Sequence, residues 1–325
     1  LDLALANKKS KYLYKFKSHS LNRMTFFYFV SMPHLDFHSP EEEIFYPLFK
    51  EKQIRFFMKR DDLIHPFISG NKWRKLKYNL QKASALNKKH LVTFGGAYSN
   101  HILATSCAGA KFGFRTTAFI RGEKVENEIL AFCKVYGMDL IFVDRERYKN
   151  KPELFESHFK DNSDAYFIDE GGAGKEAEKG CREIIKELAQ TYNHIFCAAG
   201  TGTTSAGIIN EIAAQNLPTI YNMVPVLKGG AFLKNDVLSL LDQESPYTIH
   251  ENYHFGGYAK TQTLLIEFIK DFASKTGILT DPVYTGKALY CIKDLAEKDF
   301  FQPNSSVLMV HTGGIFGILG MLNKF

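Results

Sequence analysis

Lys72 stands directly after a Gly-Asn pair, where an apolar-periodic stretch running to Ala85 begins. A cation at a helix N-terminus is electrostatically unfavourable. A lysine placed there tends to lose its proton, as an amine that forms a Schiff base must. Arg74, Lys75 and Lys77 lie close by, so from spacing alone a solvated basic face explains Lys72 more simply. A second segment, residues 197–207, reads C-A-A-G-T-G-T-T-S-A-G between an apolar run and another periodic stretch. Gly200 and Gly202 let backbone N–H groups approach an anion, and Thr201, Thr203 and Thr204 add hydroxyl donors. The helix start that follows adds partial positive charge, which makes this a phosphate cradle. A dinucleotide site expects an acid about 20 positions on, at the end of the next strand. That strand runs into Leu227-Lys228-Gly229 with no acid, and a P-loop lysine is also absent. A third segment, G-G-A-Y-S-N-H at 95–101, puts Ser99 and Asn100 at an expected N-cap. Both types cap helices routinely; a cap that also binds a substrate carboxylate is the functional alternative. Ser99 lacks the G-x-S-x-G spacing of a hydrolase nucleophile.

Those residues need elements to hold them. Strand-like stretches fall at 54–59, 90–94, 115–120, 139–143, 194–198, 219–226 and 307–311. Helix-like stretches fall at 72–85, 100–111, 126–136, 174–190, 204–215 and 261–276. Short apolar strands alternating with helices predict an α/β fold with open, twisted parallel sheets covered on both faces. Three strands end in glycine-rich turns that open helices: Gly95-Gly96, Gly200-Thr201-Gly202 and Gly313-Gly314. Ligands bind at the carboxyl ends of such strands, so three turns of this kind predict one shared crevice.

Composition sets the class. The 325 residues are 45% hydrophobic and 23% charged, ordinary for a globular protein of roughly two domains. The formal net charge is +6, but most of it comes from Lys8, Lys9, Lys11, Lys15, Lys17 and Arg23 within residues 1–31. The body is therefore near neutral, which removes the main support for a nucleic-acid role. Residues 1–31 are expected to be an extension, disordered or not native, with Met24 and Met32 as candidate starts. The apolar run at 26–30 is far shorter than the ~20 residues of a membrane span, and it lacks a secretory cleavage site. A cytoplasmic protein without a membrane partner is expected. The five cysteines are widely spaced, with no pattern for zinc or a redox pair, and read as buried free thiols.

Together the segments resemble one family, the 1-aminocyclopropane-1-carboxylate deaminase / D-cysteine desulfhydrase family of tryptophan-synthase-β-like enzymes. The motifs are K-R-D-D-L at 59–63, G-N-K-W-R-K-L at 70–76, G-G-A-Y-S-N-H at 95–101 and R-G-E at 121–123. They continue as E-G-G at 170–172, G-T-G-T-T-S-A-G at 200–207, D-P-V-Y-T-G-K-A at 281–288 and H-T-G-G at 311–314. The resemblance implies pyridoxal 5′-phosphate (PLP) as cofactor and a homodimer. It makes Lys72 the lysine that binds PLP covalently and later shuttles protons. Asn100 is similar to the residue that bonds the cofactor's phenolic oxygen, and Ser99 to the one that meets the substrate carboxylate. Gly200 through Thr204 resemble the phosphate loop. Tyr284 and, in a looser motif, Tyr258 resemble active-site tyrosines. Tyr98 stands where the family usually has Gln.

The family divides at the pyridine nitrogen. Ring-opening enzymes usually place Glu after the D-P-V-Y tyrosine, keeping the nitrogen protonated. Here the corresponding hydroxyls are Thr285 and Thr312. A neutral ring is a weaker electron sink. It suits removal of an α-proton and loss of a good leaving group such as thiolate, giving a 2-oxo acid, ammonia and sulfide. The expected substrate is D-cysteine or a related small amino acid. A ring-opening deaminase and a non-enzymatic PLP carrier remain the alternatives. Residues 32–75 with 176–325 are expected to form a large PLP domain, and residues 76–175 a small one carrying Ser99 and Asn100.

Overall fold

The computed structural model describes residues 33–325 apart from residue 231, so the expectation for residues 1–31 lies outside the described residues. Its strands are β1 (Glu41–Glu43), β2 (Arg55–Lys59), β3 (His90–Gly95), β4 (Arg115–Arg121) and β5 (Asp139–Val143). They continue with β6 (Ala165–Phe167), β7 (His194–Ala199), β8 (Ile220–Pro225), β9 (Thr248–Ile249) and β10 (Ser306–Val310). Two sheets result. One has six strands in the order β1-β2-β10-β7-β8-β9, and the other has four in the order β5-β4-β3-β6. Every neighbouring pair is parallel except β1 with β2.

The strand sequences explain the parallel pairing. β7 and β10 are apolar almost throughout, so both sheet faces must be covered. Phe196, Val224 and Met309 face one way, onto Phe272, Leu289 and Ile292. Ile195, Cys197 and Leu308 face the other, onto Ile184, Ile208 and Ile209. The small sheet is covered likewise, with Leu91 against Trp73, Leu76 and Leu80, and Phe94 and Phe119 against Tyr148 and Leu154. All five cysteines are buried and unpaired.

The expected helix over 174–190 is instead two, Lys175–Cys181 and Glu183–Lys186. The coil tightens at Arg182, whose carbonyl accepts from Ile185 N–H, three residues on. A helix at Thr285–Glu297 went unread, although Ala288, Leu289, Cys291, Ile292, Leu295 and Ala296 form its buried stripe.

The Asn71–Ala85 helix carries Lys72 and is held by a buried ion network. Arg74 and Asp61 are both fully buried. Arg74 Nε donates to Asp61 Oδ2 at 3.1 Å, and Nη2 donates to Oδ1 at 2.8 Å. Nη2 also donates to Glu187 Oε2 at 2.7 Å, and Glu187 pairs with Lys59 at 3.2 Å. Ser39 Oγ donates to Asp61 Oδ1 at 2.6 Å. Burial alone would lower the Arg74 pKa, but the Asp61 and Glu187 carboxylates more than offset it and raise it above the usual range. Removing one partner of such a pair leaves an uncompensated buried charge. Asp61→Ala should therefore destabilise the fold by about 3–5 kcal/mol, read as a lower urea midpoint at unchanged slope.

Candidate active site

A cavity of about 800 Å³ opens at the carboxyl ends of β3, β7 and β10, where the three glycine-rich turns converge. Lys72, Ser99, Asn100, Gly200 to Thr204, Tyr258, Tyr284 and Thr312 all line it. Of the expected site residues, only Thr285 does not.

Lys72 enters from the first turn of its helix. Gly70 sets that start, with φ 59° and its Cα pressed so close to Thr312 that an added Cβ would lie 1.8 Å from the Thr312 carbonyl oxygen. No other residue type fits there. Among the described residues, Lys72 Nζ has no hydrogen-bond partner. Burial, then the charge of Lys75, hold its pKa well below the usual lysine range. Lys75 lies one turn on, so both amines share a helix face. It is buried and donates to Thr201 Oγ1 at 3.2 Å and Gly171 O at 3.3 Å, with no carboxylate in ion-pair contact among the described residues. Lys75, read from the sequence as part of a solvated basic face, is instead a cavity residue, and its three-residue spacing from Lys72 is the signal for it.

The cradle follows β7. Gly202 takes the left-handed conformation, φ 71°, and the Thr203–Ala214 helix begins there. The Thr203 hydroxyl is buried without a partner, and Thr204 Oγ1 accepts from Asn71 Nδ2 at 3.2 Å. An unpartnered hydroxyl, a helix N-terminus and a buried lysine without a counter-ion converge here. They fit a phosphate, and the free Lys72 amine beside them fits an aldehyde.

Ser99 caps the Asn100–Phe112 helix, accepting from Ile102 N–H at 3.4 Å, while also lining the cavity. Capping and ligand contact are thus compatible at this serine. Asn100 packs against Gly314, where an added Cβ would come within 2.8 Å of Nδ2. His101 is a further cavity residue that the sequence reading passed over. Thr93 Oγ1 donates its one proton to Ile168 O, so His101 Nε2 must be the donor in its 2.8 Å bond to Thr93. That leaves His101 Nδ1 an unpartnered buried acceptor. Burial, then Lys72 and Lys75, push its pKa well down and keep it neutral.

Tyr258 and Tyr284 meet edge to face, with ring centroids 6.0 Å apart. Burial, then the neighbouring Tyr258, raise the Tyr284 pKa well above the usual value, so its hydroxyl stays protonated. Thr285 departs from expectation. It is fully buried, its hydroxyl donating to Asp281 Oδ1 at 2.7 Å and accepting from Asp281 N–H at 2.9 Å. The D-P-V-Y turn makes Asp281 the cap of the Thr285–Glu297 helix and draws the threonine into it. Thr312 does line the cavity, and among the described residues its hydroxyl has no partner.

Residues 45–313 match the family described as pyridoxal-phosphate dependent enzyme. The chain belongs to this family. PLP is its cofactor. It is similar to a putative 1-aminocyclopropane-1-carboxylate deaminase of Thermotoga maritima, 31% identical over 82% of this chain and 91% of the relative. It is also similar to the mitochondrial bifunctional D-cysteine desulfhydrase/1-aminocyclopropane-1-carboxylate deaminase of Arabidopsis thaliana, 27% identical over 82% of this chain and 74% of the relative. A solved structure described as an ACC deaminase homologue superposes with a TM-score of 0.81 at 27% identity, covering 91% of this chain and 96% of that one. The fold is that of the tryptophan-synthase-β-like PLP enzymes.

Two substitutions test the site. Borohydride reduction should fix PLP to the wild-type chain and not to Lys72→Ala, as read by mass spectrometry. Lys75→Met should weaken PLP binding about 10- to 100-fold in an absorbance titration, the loss of about 1.5–3 kcal/mol carried by a hydrogen bond to a charged group.

Proposed function

We propose that this PLP-dependent lyase removes the α-proton and the β-thiolate of D-cysteine or a related small amino acid, giving a 2-oxo acid, ammonia and sulfide. The observation that carries this reading is the partner-free Thr312 hydroxyl at the cavity wall, with no carboxylate at position 285 or 312. Bound PLP supplies the electron sink that lowers the cost of a carbanion at Cα. With a hydroxyl as the neighbour of its ring nitrogen, that sink would be a weak one, and a good leaving group would matter.

The chain's residues divide the remaining work. Gly200 to Thr204 and Lys75 hold the phosphate, and Asn100 orients the ring. Ser99 and the N–H groups of the helix start bind the substrate carboxylate. Lys72, whose lowered pKa favours the free amine, takes the α-proton at Nζ. Tyr284, whose raised pKa keeps its proton, is placed to hydrogen-bond the departing sulfur, which leaves as thiolate, with Tyr258 beside it. A non-enzymatic carrier has no use for Ser99 and the tyrosine pair.

Ring opening of 1-aminocyclopropane-1-carboxylate is the second reading, supported by the name of the Thermotoga relative. That substrate has no α-hydrogen, so Lys72 would have nothing to abstract at Cα. The proposal extends to domain organisation, assembly and location. The large and small domains follow the two sheets. The protein pairs as a homodimer, as the resemblance implies. It works in the cytoplasm, where five buried free thiols are at home; no described helix is long and apolar enough to cross a membrane.

Release of 2-oxo acid should be measured side by side with D-cysteine and 1-aminocyclopropane-1-carboxylate. Pyruvate with sulfide from D-cysteine alone is the expected result. 2-Oxobutanoate from the cyclopropane at a comparable kcat/KM would overturn the choice of substrate.

A further inference from the structure

Lys287 is fully buried in the Thr285–Glu297 helix, three residues after Tyr284. No carboxylate lies in ion-pair contact with it among the described residues. Its ammonium donates instead to three main-chain carbonyls: His254 O at 2.8 Å, Gly257 O at 2.8 Å and Val226 O at 3.4 Å. Three N–H groups thus meet three carbonyl oxygens from two separate segments. Val226 follows the carboxyl end of β8. His254 and Gly257 belong to the loop that leads directly into Tyr258.

Phe255 anchors that loop against Leu265, Ile269 and Tyr290, and Gly257 N–H donates to His254 O at 3.0 Å. The lysine adds the tie to Val226 beyond β8. Phe255 and Ala259 have φ of 53° and 52°, while Gly256 and Gly257 have 96° and 121°. Non-glycine residues at positive φ persist only where the surroundings impose them. Burying an ammonium is itself costly, and an aliphatic side chain would pack the helix without that cost. Burial lowers the Lys287 pKa to about 8, which expresses the same cost. What the charge gains is the carbonyls, and through them the placement of the loop.

We propose that Lys287 is a positioning residue, a tethered cation that folds the 254–257 loop and so sets Tyr258 against Tyr284 at the cavity wall. This rests on the reading that the two tyrosines serve the reaction. Lys287 itself does not line the cavity. Because the three carbonyls form a ready cation cage, Lys287→Ala leaves a site that a small cation can refill.

The test uses PLP-loaded enzyme and whichever amino acid the wild type turns over. Lys287→Ala should lose at least tenfold in kcat while binding PLP normally. Ammonium or methylammonium chloride should restore several-fold of the loss, and tetramethylammonium chloride, too large for the cage, should not. Amide exchange in peptides spanning 250–262 should speed up in the variant and slow again with ammonium, whatever the substrate. Gly257→Ala, strained at φ 121°, moves one carbonyl without touching the core and decides the matter if Lys287→Ala fails to fold. It should lower kcat likewise. Wild-type kcat in Lys287→Ala, or in Gly257→Ala where that variant decides, overturns the proposal, as does a loss that no small cation restores with exchange unchanged. If exchange responds as expected but Tyr258→Phe keeps full kcat, the role of the tyrosine falls and Lys287 is left a structural clamp.

Discussion

The buried pair between Arg74 and Asp61 is the constraint on which the site depends. Two opposite charges share a water-free position in bidentate geometry, with Ser39 and Glu187 satisfying further donors and acceptors. Pairs of this quality tolerate little displacement, because every remaining donor and acceptor is already aimed. One turn of one helix then has three jobs. Arg74 faces the ion network, Trp73 and Leu76 face the small sheet, and Lys72 and Lys75 face the cavity. Successive residues turn by about 100° around a helix, so fixing Arg74 fixes where both lysines point. The main-chain bond from Gly70 N–H to Asp61 O, 3.0 Å, ties the same aspartate to the residue that starts the helix.

The two cavity lysines differ in their surroundings: Lys75 is buried against Thr201 and Gly171, and Lys72 is half-buried with no hydrogen-bond partner among the described residues. Burial lowers both, and the charge of Lys75 lowers Lys72 further. A phosphate in the cradle would widen the difference. It would stabilise the charge on Lys75, which already contacts Thr201, and a charged Lys75 would press Lys72 further toward the free amine. His101 stays neutral in the same field and adds no positive charge. Two groups of one chemical type would then be pushed apart, one to bind and one to react. Separation of that kind marks acid–base assignments in enzymes generally.

How much of this was legible differed by feature. The strand–glycine–helix units stood out because short apolar runs ended by Gly at β3, β7 and β10 have few alternative readings. Their convergence on one cavity followed from parallel topology alone. The Thr285–Glu297 helix was harder, because its cap is an aspartate four residues ahead, across a proline, and not a residue at the N-cap itself. Lys75 was masked by its basic neighbours, which look solvated until Arg74 is seen to be buried. The loop before Tyr258 was not legible at all. Its positive-φ residues include Phe255 and Ala259, types that announce no turn, and the lysine that holds them lies 30 residues from the carbonyl of Gly257.

The position of Thr285 sharpens the chemistry more than its residue type does. A hydroxyl engaged with Asp281 has no proton left for a ring nitrogen. Asp281 in turn accepts from the N–H groups of Val283, Tyr284 and Thr285 as well as from that hydroxyl. Burial raises its pKa, while these same donors work to lower it. Its carboxylate is committed to the start of the helix and to the orientation of Tyr284, and it lies outside the cavity wall. The tyrosine therefore owes its placement to a cap behind it and, through Tyr258, to Lys287 beside it. Of the two threonines, Thr312 alone would be left to meet a ring nitrogen, and under the proposed reading a lone hydroxyl there would require the leaving group, not the cofactor, to carry most of the driving force. Thiolate meets that requirement, and a strained carbon–carbon bond without an α-proton does not.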